Sequence, residues 1–190
     1  MRNSIIVYAL IMIFSNYASA ADSLVAPDWT LVAADGQTVN LNEEVQKQTT
    51  LLLFWATWCP YCKALMPHLQ SMVLEYGDKV KVLAINIMED GDPLEFIESA
   101  GYDFTLLLNG DDVADSYNVS GTPGVVIIDQ NWFVRFDLRR LPAIDSPSTR
   151  KPASNTGRAA YLAPYWAAEI RQSIDAILED RMQSEISVAH

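Results

Sequence analysis

The chain has 190 residues, half of them hydrophobic, with 13 basic against 24 acidic side chains and a formal net charge of −11. Such acidity argues against nucleic acid and anionic lipid as partners, because both carry the same sign of charge. A chain of this size buries a core unaided, and with only two cysteines it is not a small domain held together by disulfides.

Residues 1–20 have the layout of a secretory signal: a positive charge at Arg2, an apolar run from Ile5 to Phe14, and Ala18 and Ala20 in an A-x-A arrangement that predicts cleavage before Ala21. The apolar run falls far short of the roughly 20 residues that a spanning helix needs. The expectation is an exported protein of the periplasm, with residues 21–190 forming one domain and no demand for more than a monomer.

Asp28 to Leu41 alternates on both sides of Asp35-Gly36, the pattern of an N-terminal β-hairpin. Thr50 to Ala56 (TLLLFWA) is a continuous apolar run and predicts a buried strand. From Pro60 the spacing becomes helical, with Leu65, Leu69, Met72, Val73 and Tyr76 on one face. Lys79 to Ile87 predicts a second buried strand. Asp92-Pro93 then opens a helix with a capping carboxylate and a proline at its first position, closed by Gly101. Phe104 to Leu108 is short and extended, and Asp111 to Tyr117 is a short helix. Gly124 to Asp129 and Trp132 to Leu138 form a hairpin around Gln130-Asn131.

Leu141 to Arg158 is rich in Pro, Ser and Thr without apolar periodicity, so an exposed loop is expected over residues 141–160. Trp166, Ile170, Ile174, Ile177 and Leu178 then share a helical stripe, predicting a last helix over 161–182 that returns to the sheet. Alternating strands and helices define an α/β class with a central mixed sheet.

Both cysteines fall in Trp58-Cys59-Pro60-Tyr61-Cys62, at the junction of the first buried strand and its helix. Pro60 suits a first helical position, which makes Cys59 the N-cap and sets its sulfur beside unpaired backbone N–H groups. Those dipoles favour a thiolate, the attacking species of disulfide exchange. Cys62, one turn on and expected to be more buried, can then attack a mixed disulfide on Cys59. A purely structural bridge is disfavoured, because so short a loop constrains the unfolded chain little. Zinc is disfavoured because a tetrahedral site would need two more ligands, while the only histidines are His68 and His190 and there is no third or fourth cysteine. Cu(I) held by the two sulfurs, with Met66 or His68, is the non-enzymatic alternative. Neither a metal nor any cofactor beyond a Cys59–Cys62 redox disulfide is otherwise called for.

Three motifs resemble the thioredoxin superfamily, and more narrowly the exported TlpA/ResA-like thiol–disulfide oxidoreductases. They are Pro27-Asp28-Trp29 with its hairpin, the Phe54 to Cys62 block, and Gly121-Thr122-Pro123 before a strand. The resemblance implies a thioredoxin-like fold with a cis peptide between Thr122 and Pro123 facing the sulfurs, the Thr122 backbone being free to bind an extended segment. It implies Cys59 as nucleophile and Cys62 as resolving residue, with Trp58, Pro60, Tyr61, Thr122 and Pro123 contacting the substrate. Partners would be disulfide or dithiol proteins, apocytochrome c first among them, and a membrane electron donor of the DsbD/CcdA kind. The family also places a kinking proline where Pro67 stands.

Two departures stand out. Thioredoxin carries a buried Asp where this chain has Leu53, and ResA-like reductases often carry a Glu where it has Leu65. Glu89 and Asp90 are the nearest acidic substitutes in the sequence, expected to be solvated, and the proton-transfer role has no candidate. Pro60-Tyr61 is a glutaredoxin-like pair, and residues there tune thiolate stability, so an oxidant or isomerase of secreted proteins is the alternative direction of flow.

Overall fold

The computed structural model describes residues 24–144 and 154–188. The signal expected over residues 1–20 lies outside them, as does part of the expected loop.

The N-terminal hairpin is present as a separate two-stranded sheet, β1 (Thr30–Val32) antiparallel to β2 (Thr38–Asn40). A helix that the sequence reading did not foresee follows at once, α1 (Leu41–Lys47). Asn40 caps it by accepting from the Glu43 N–H, and Leu41 and Val45, one turn apart, are both fully buried.

Every residue of β3 (Thr49–Trp55) is buried. Strand side chains alternate between faces, so Leu51, Leu53 and Trp55 join one apolar cluster while Leu52 and Phe54 join another on the opposite side. A strand covered on both faces belongs in the middle of a sheet, and β3 is the third of five in the order β5-β4-β3-β6-β7. Helix α2 (Pro60–Tyr76) crosses over to β4 (Val80–Asn86), and α3 (Pro93–Ala100) crosses to β5 (Thr105–Leu107), giving two parallel pairings. After the short α4 (Asp111–Ser116), β6 (Gly124–Ile128) lies antiparallel to β3, and β7 (Val134–Asp137) antiparallel to β6. The turn between them is held by the Asp129 carboxylate, which accepts from the N–H groups of Asn131 and Phe133 at 2.9 and 3.0 Å.

The last helix, α5, runs from Asn155 to Val188. It begins inside the expected 141–160 loop and extends beyond the expected 161–182 span. The reason for the early start is local: the Ser154 hydroxyl accepts from Gly157 N–H, the Ser154 carbonyl accepts from Arg158 N–H, and Ala159 is already fully buried. Pro164 lies inside the helix, so composition alone hid its first turns. Ala163, Ala167, Ile170, Ile174 and Ile177 form its buried stripe, with Trp166 and Leu178 half-buried beside it. The stripe packs on α2 and on the sheet face of Leu51, Leu53 and Trp55. Polar ties reinforce the pairing: the Tyr76 hydroxyl donates to Asp175 at 2.7 Å, and Arg171 pairs with Glu75.

Ile174, fully buried between α5, α2 and the sheet, tests that packing. Ile174→Ala is expected to lower stability by about 2–5 kcal/mol, whereas Met182→Ala, at a position 54% exposed, should change it by less than about 0.5 kcal/mol. The midpoints and slopes of urea unfolding measure both.

Candidate active site

The CxxC pair sits where β3 ends and α2 begins. Cys59 is the N-cap of α2, in extended backbone (φ −80°, ψ 108°), and Pro60 occupies the first helical position. The Cys59 Sγ accepts from the backbone N–H of Cys62 at 3.0 Å. A sulfur therefore fills the place that a serine or aspartate oxygen takes at an ordinary cap, among donors that have no partner inside the helix. The two sulfurs are joined in a disulfide, with Cα atoms 5.3 Å apart.

The expected contrast in burial is almost absent in this state: Cys59 is 1% exposed and Cys62 is fully buried. Both belong to the apolar cluster of Leu65, Leu69 and the inner face of α5. Bonded to Cys62, the Cys59 sulfur is drawn against the same core. Leu53 and Leu65 are fully buried in that cluster too, so apolar side chains occupy the two positions where relatives can carry carboxylates.

The other residues singled out from the sequence surround this pair. The peptide between Thr122 and Pro123 is cis. Among the described residues nothing hydrogen-bonds to the Thr122 backbone, and its hydroxyl is buried without a partner. Trp58 is about half exposed (49%), and its indole N–H donates to the Met88 carbonyl at 2.7 Å. Tyr61, half-buried, packs against Trp166 of α5 with ring centroids 6.1 Å apart. Lys63 lies over the Phe96 ring, 5.2 Å from its centroid. Pro67 lies inside α2. Met66 is fully buried and His68 half-buried on the same helix. Among the described residues no cluster of three or more His, Cys, Asp or Glu side chains could hold a metal.

Glu89 is the residue whose role the sequence did not reveal. It was expected to be solvated, but its carboxylate accepts from the N–H and the hydroxyl of Thr57, from the Asn86 amide, and from the N–H groups of Asp90 and Gly91. Partial burial alone would raise its pKa, but these donors outweigh it and pull the carboxyl down to about 2. The same two loops meet again where Ile87 N–H donates to the Trp55 carbonyl and where Trp58 donates to Met88. Gly91 lies so close to the Thr57 hydroxyl that an added Cβ would strike it. The loop carrying Thr57-Trp58-Cys59 is thereby fastened to the end of β4. The one sequence signal was the spacing Asn86-x-x-Glu89 at a strand end, which is too common in turns to stand out. A carboxylate whose oxygens already accept from five donors, and whose pKa those donors pull far down, is too weak a base to take a proton from a thiol, so Glu89 is a fastening and does not fill the missing proton-transfer role.

Fold and site together define the class: a thiol–disulfide oxidoreductase of thioredoxin-like fold with its cysteine pair at a helix start. The chain belongs to the AhpC/TSA family, whose model matches residues 24–137. It is 30% identical to the thioredoxin-like protein YneN of Bacillus subtilis over 58% of this chain and 66% of that protein. It is 30% identical to the thiol-disulfide oxidoreductase ResA of Geobacillus kaustophilus over 64% of this chain and 71% of that one. The chain thus spans about two thirds of the length of these relatives. Among solved structures, that of a putative thiol:disulfide interchange protein DsbE from Chlorobium tepidum superposes with a TM-score of 0.55 at 28% identity. That match covers 60% of this chain and 82% of the other.

The Glu89 fastening predicts an acid dependence. The folded pKa lies below the ordinary value of 4.5, so its stabilisation is fully present above that value and is lost as pH falls toward 2. Glu89→Ala should cost about 1–3 kcal/mol at pH 7 by stranding the Thr57 and Asn86 donors. Urea unfolding at pH 7 and pH 3 should show the difference between wild type and variant shrinking at the lower pH.

Proposed function

We propose that the chain is an exported reductase of protein disulfides, acting through the Cys59/Cys62 dithiol. The observation that carries the reading is the sulfur of Cys59 in the N-cap position, accepting from the Cys62 N–H at 3.0 Å. An N-cap thiolate faces the positive end of the helix dipole, which lowers its pKa and raises the reactive fraction near neutral pH.

In this cycle the Cys59 thiolate attacks one sulfur of a substrate disulfide and expels the other as a thiolate. Cys62, deprotonated, attacks the Cys59 sulfur of the mixed disulfide, forming the Cys59–Cys62 bond and releasing the second substrate sulfur as a thiolate. Two electrons pass from the cysteine pair to the substrate, and the thiolates take up protons from solvent. The disulfide present here corresponds to the oxidised end of the cycle. A membrane electron donor of the DsbD/CcdA kind would restore the dithiol.

The unpaired Thr122 backbone beside the cis proline offers a donor and an acceptor to an extended substrate segment. Half-exposed Trp58 adds an apolar wall at the same junction, and Pro60 and Tyr61 complete the rim. The reducing direction and apocytochrome c as substrate follow the TlpA/ResA-like resemblance of the sequence. Export follows the layout of residues 1–20, and among the described residues no helix is long and apolar enough to cross a membrane.

The reduction potential of Cys59/Cys62, measured by equilibration against glutathione and dithiothreitol buffers with both thiols quantified, decides the direction. A value near or below about −270 mV, that of thioredoxin, is the expected result; one near about −120 mV, that of DsbA, would make the protein a disulfide donor. Cys59→Ser should abolish disulfide reduction, and Cys62→Ser should accumulate a mixed disulfide on Cys59. Reduction that persists in Cys59→Ser would overturn the assignment of the nucleophile.

A further inference from the structure

Beside the cis proline the surface opens into a groove of about 300 Å³ that extends from Pro123 to side chains with no role assigned above. Its lining includes Pro123, Leu141 and Ile144, together with Arg158, Leu162 and Trp166 of α5. Trp166 is the wall shared with the active site, since it also packs against the Tyr61 ring between the cysteines. The groove therefore continues the edge at which the Thr122 backbone stands free.

Its charge is distinctive. Arg135, Arg140, Arg171 and Arg181 each pair with a carboxylate, and Arg139 is fully engaged by Asp137 and by the carbonyls of Tyr117 and Asn118. Arg158 alone among the described arginines has no carboxylate partner. On a chain of net charge −11, a free guanidinium at the rim of an apolar groove is a local reversal of sign. A guanidinium matches a carboxylate in two-point geometry, and next to apolar walls it does so with less competition from water.

We propose that this groove is a substrate subsite, which binds the segment flanking the target cysteine when that segment combines an apolar side chain with an Asp or Glu. The apolar residue enters between Leu141, Leu162 and Trp166, and the acidic one pairs with Arg158. The volume suits two or three side chains. The subsite rests on the reductase reading for its role in turnover, but binding to it does not require the redox chemistry.

The test uses the full-length mature protein in its disulfide form and two synthetic peptides with serine in place of the target cysteine. One has Leu-Glu on both sides of the serine, the other Leu-Lys. Titration calorimetry at about 150 mM salt, where the Debye length is near 8 Å, screens the repulsion from the acidic surface at large. The acidic peptide is expected to bind at least fivefold more tightly than the basic one. Arg158→Glu should invert that preference and Arg158→Lys should retain it, since Arg158 is exposed and its replacement leaves the core intact. Equal affinity of the wild type for both peptides, or an unchanged preference in Arg158→Glu, overturns the subsite. Reduction of hydroxyethyl disulfide by the same proteins reads the reductase function separately: its loss in wild type would sink the redox reading without touching the binding result. Normal reduction in Arg158→Glu alongside inverted peptide preference is the expected combination.

Discussion

Burial of β3 on both faces is the constraint from which the rest of the molecule follows. A seven-residue strand with Leu51, Leu53 and Trp55 on one side and Leu52 and Phe54 on the other needs two separate covers and two strand neighbours. Its backbone groups find the neighbours in β4 and β6, and its side chains find the covers in α2 with α5 and in the hairpin with α1 and α4. The active-site junction inherits its position from this arrangement. Cys59 caps α2 just beyond the end of this enclosed strand, where the backbone has little freedom to move and where unpaired helix donors converge.

Electrostatics divides labour across that junction. The helix start supplies partial positive charge to the Cys59 sulfur, while the Glu89 carboxylate, with its five donors, fastens the preceding loop from the other side. A carboxylate so saturated with hydrogen bonds exerts its effect as a tether: its charge is largely answered by the groups it binds. A loop held this way does not have to be ordered when substrate arrives, which lowers the entropic cost of reaching a geometry suited to sulfur attack.

The strands and the paired cysteines were legible in the sequence because their signals are local. Apolar runs fix β3 and β4, Asp92-Pro93 and Gly101 mark both ends of α3, and Cys59-Pro60 marks the start of α2. What escaped depends on partners distant in sequence or on patterns with weak composition. Glu89 looks like any exposed acid until Thr57, 32 residues earlier, is brought against it. The first turns of α5 are written in Asn, Thr, Gly and Arg, poor helix formers except for the arginine. They are helical because the Ser154 cap and the burial of Ala159 outweigh intrinsic preference. Helix α1 escaped because it is a single apolar pair on a short segment, too brief for periodicity to register.

Those early turns of α5 also reshape the active-site surroundings. A helix of 34 residues is about 51 Å long, and its buried stripe anchors it firmly on α2. Its N-terminal third therefore reaches the cysteine end of the molecule with a fixed orientation. That reach brings Trp166 to the Tyr61 ring and leaves Arg158 at the rim of the groove by Pro123. Thioredoxin-like chemistry needs only the cysteine pair, the cap donors and the backbone beside the cis proline. Leu141 and Ile144 after β7, together with Arg158, Leu162 and Trp166 of α5, add a wall to that minimal machinery. Because the wall is apolar with one unpaired cation, on a chain that is otherwise strongly acidic, it can discriminate among disulfides that the cysteines themselves cannot tell apart.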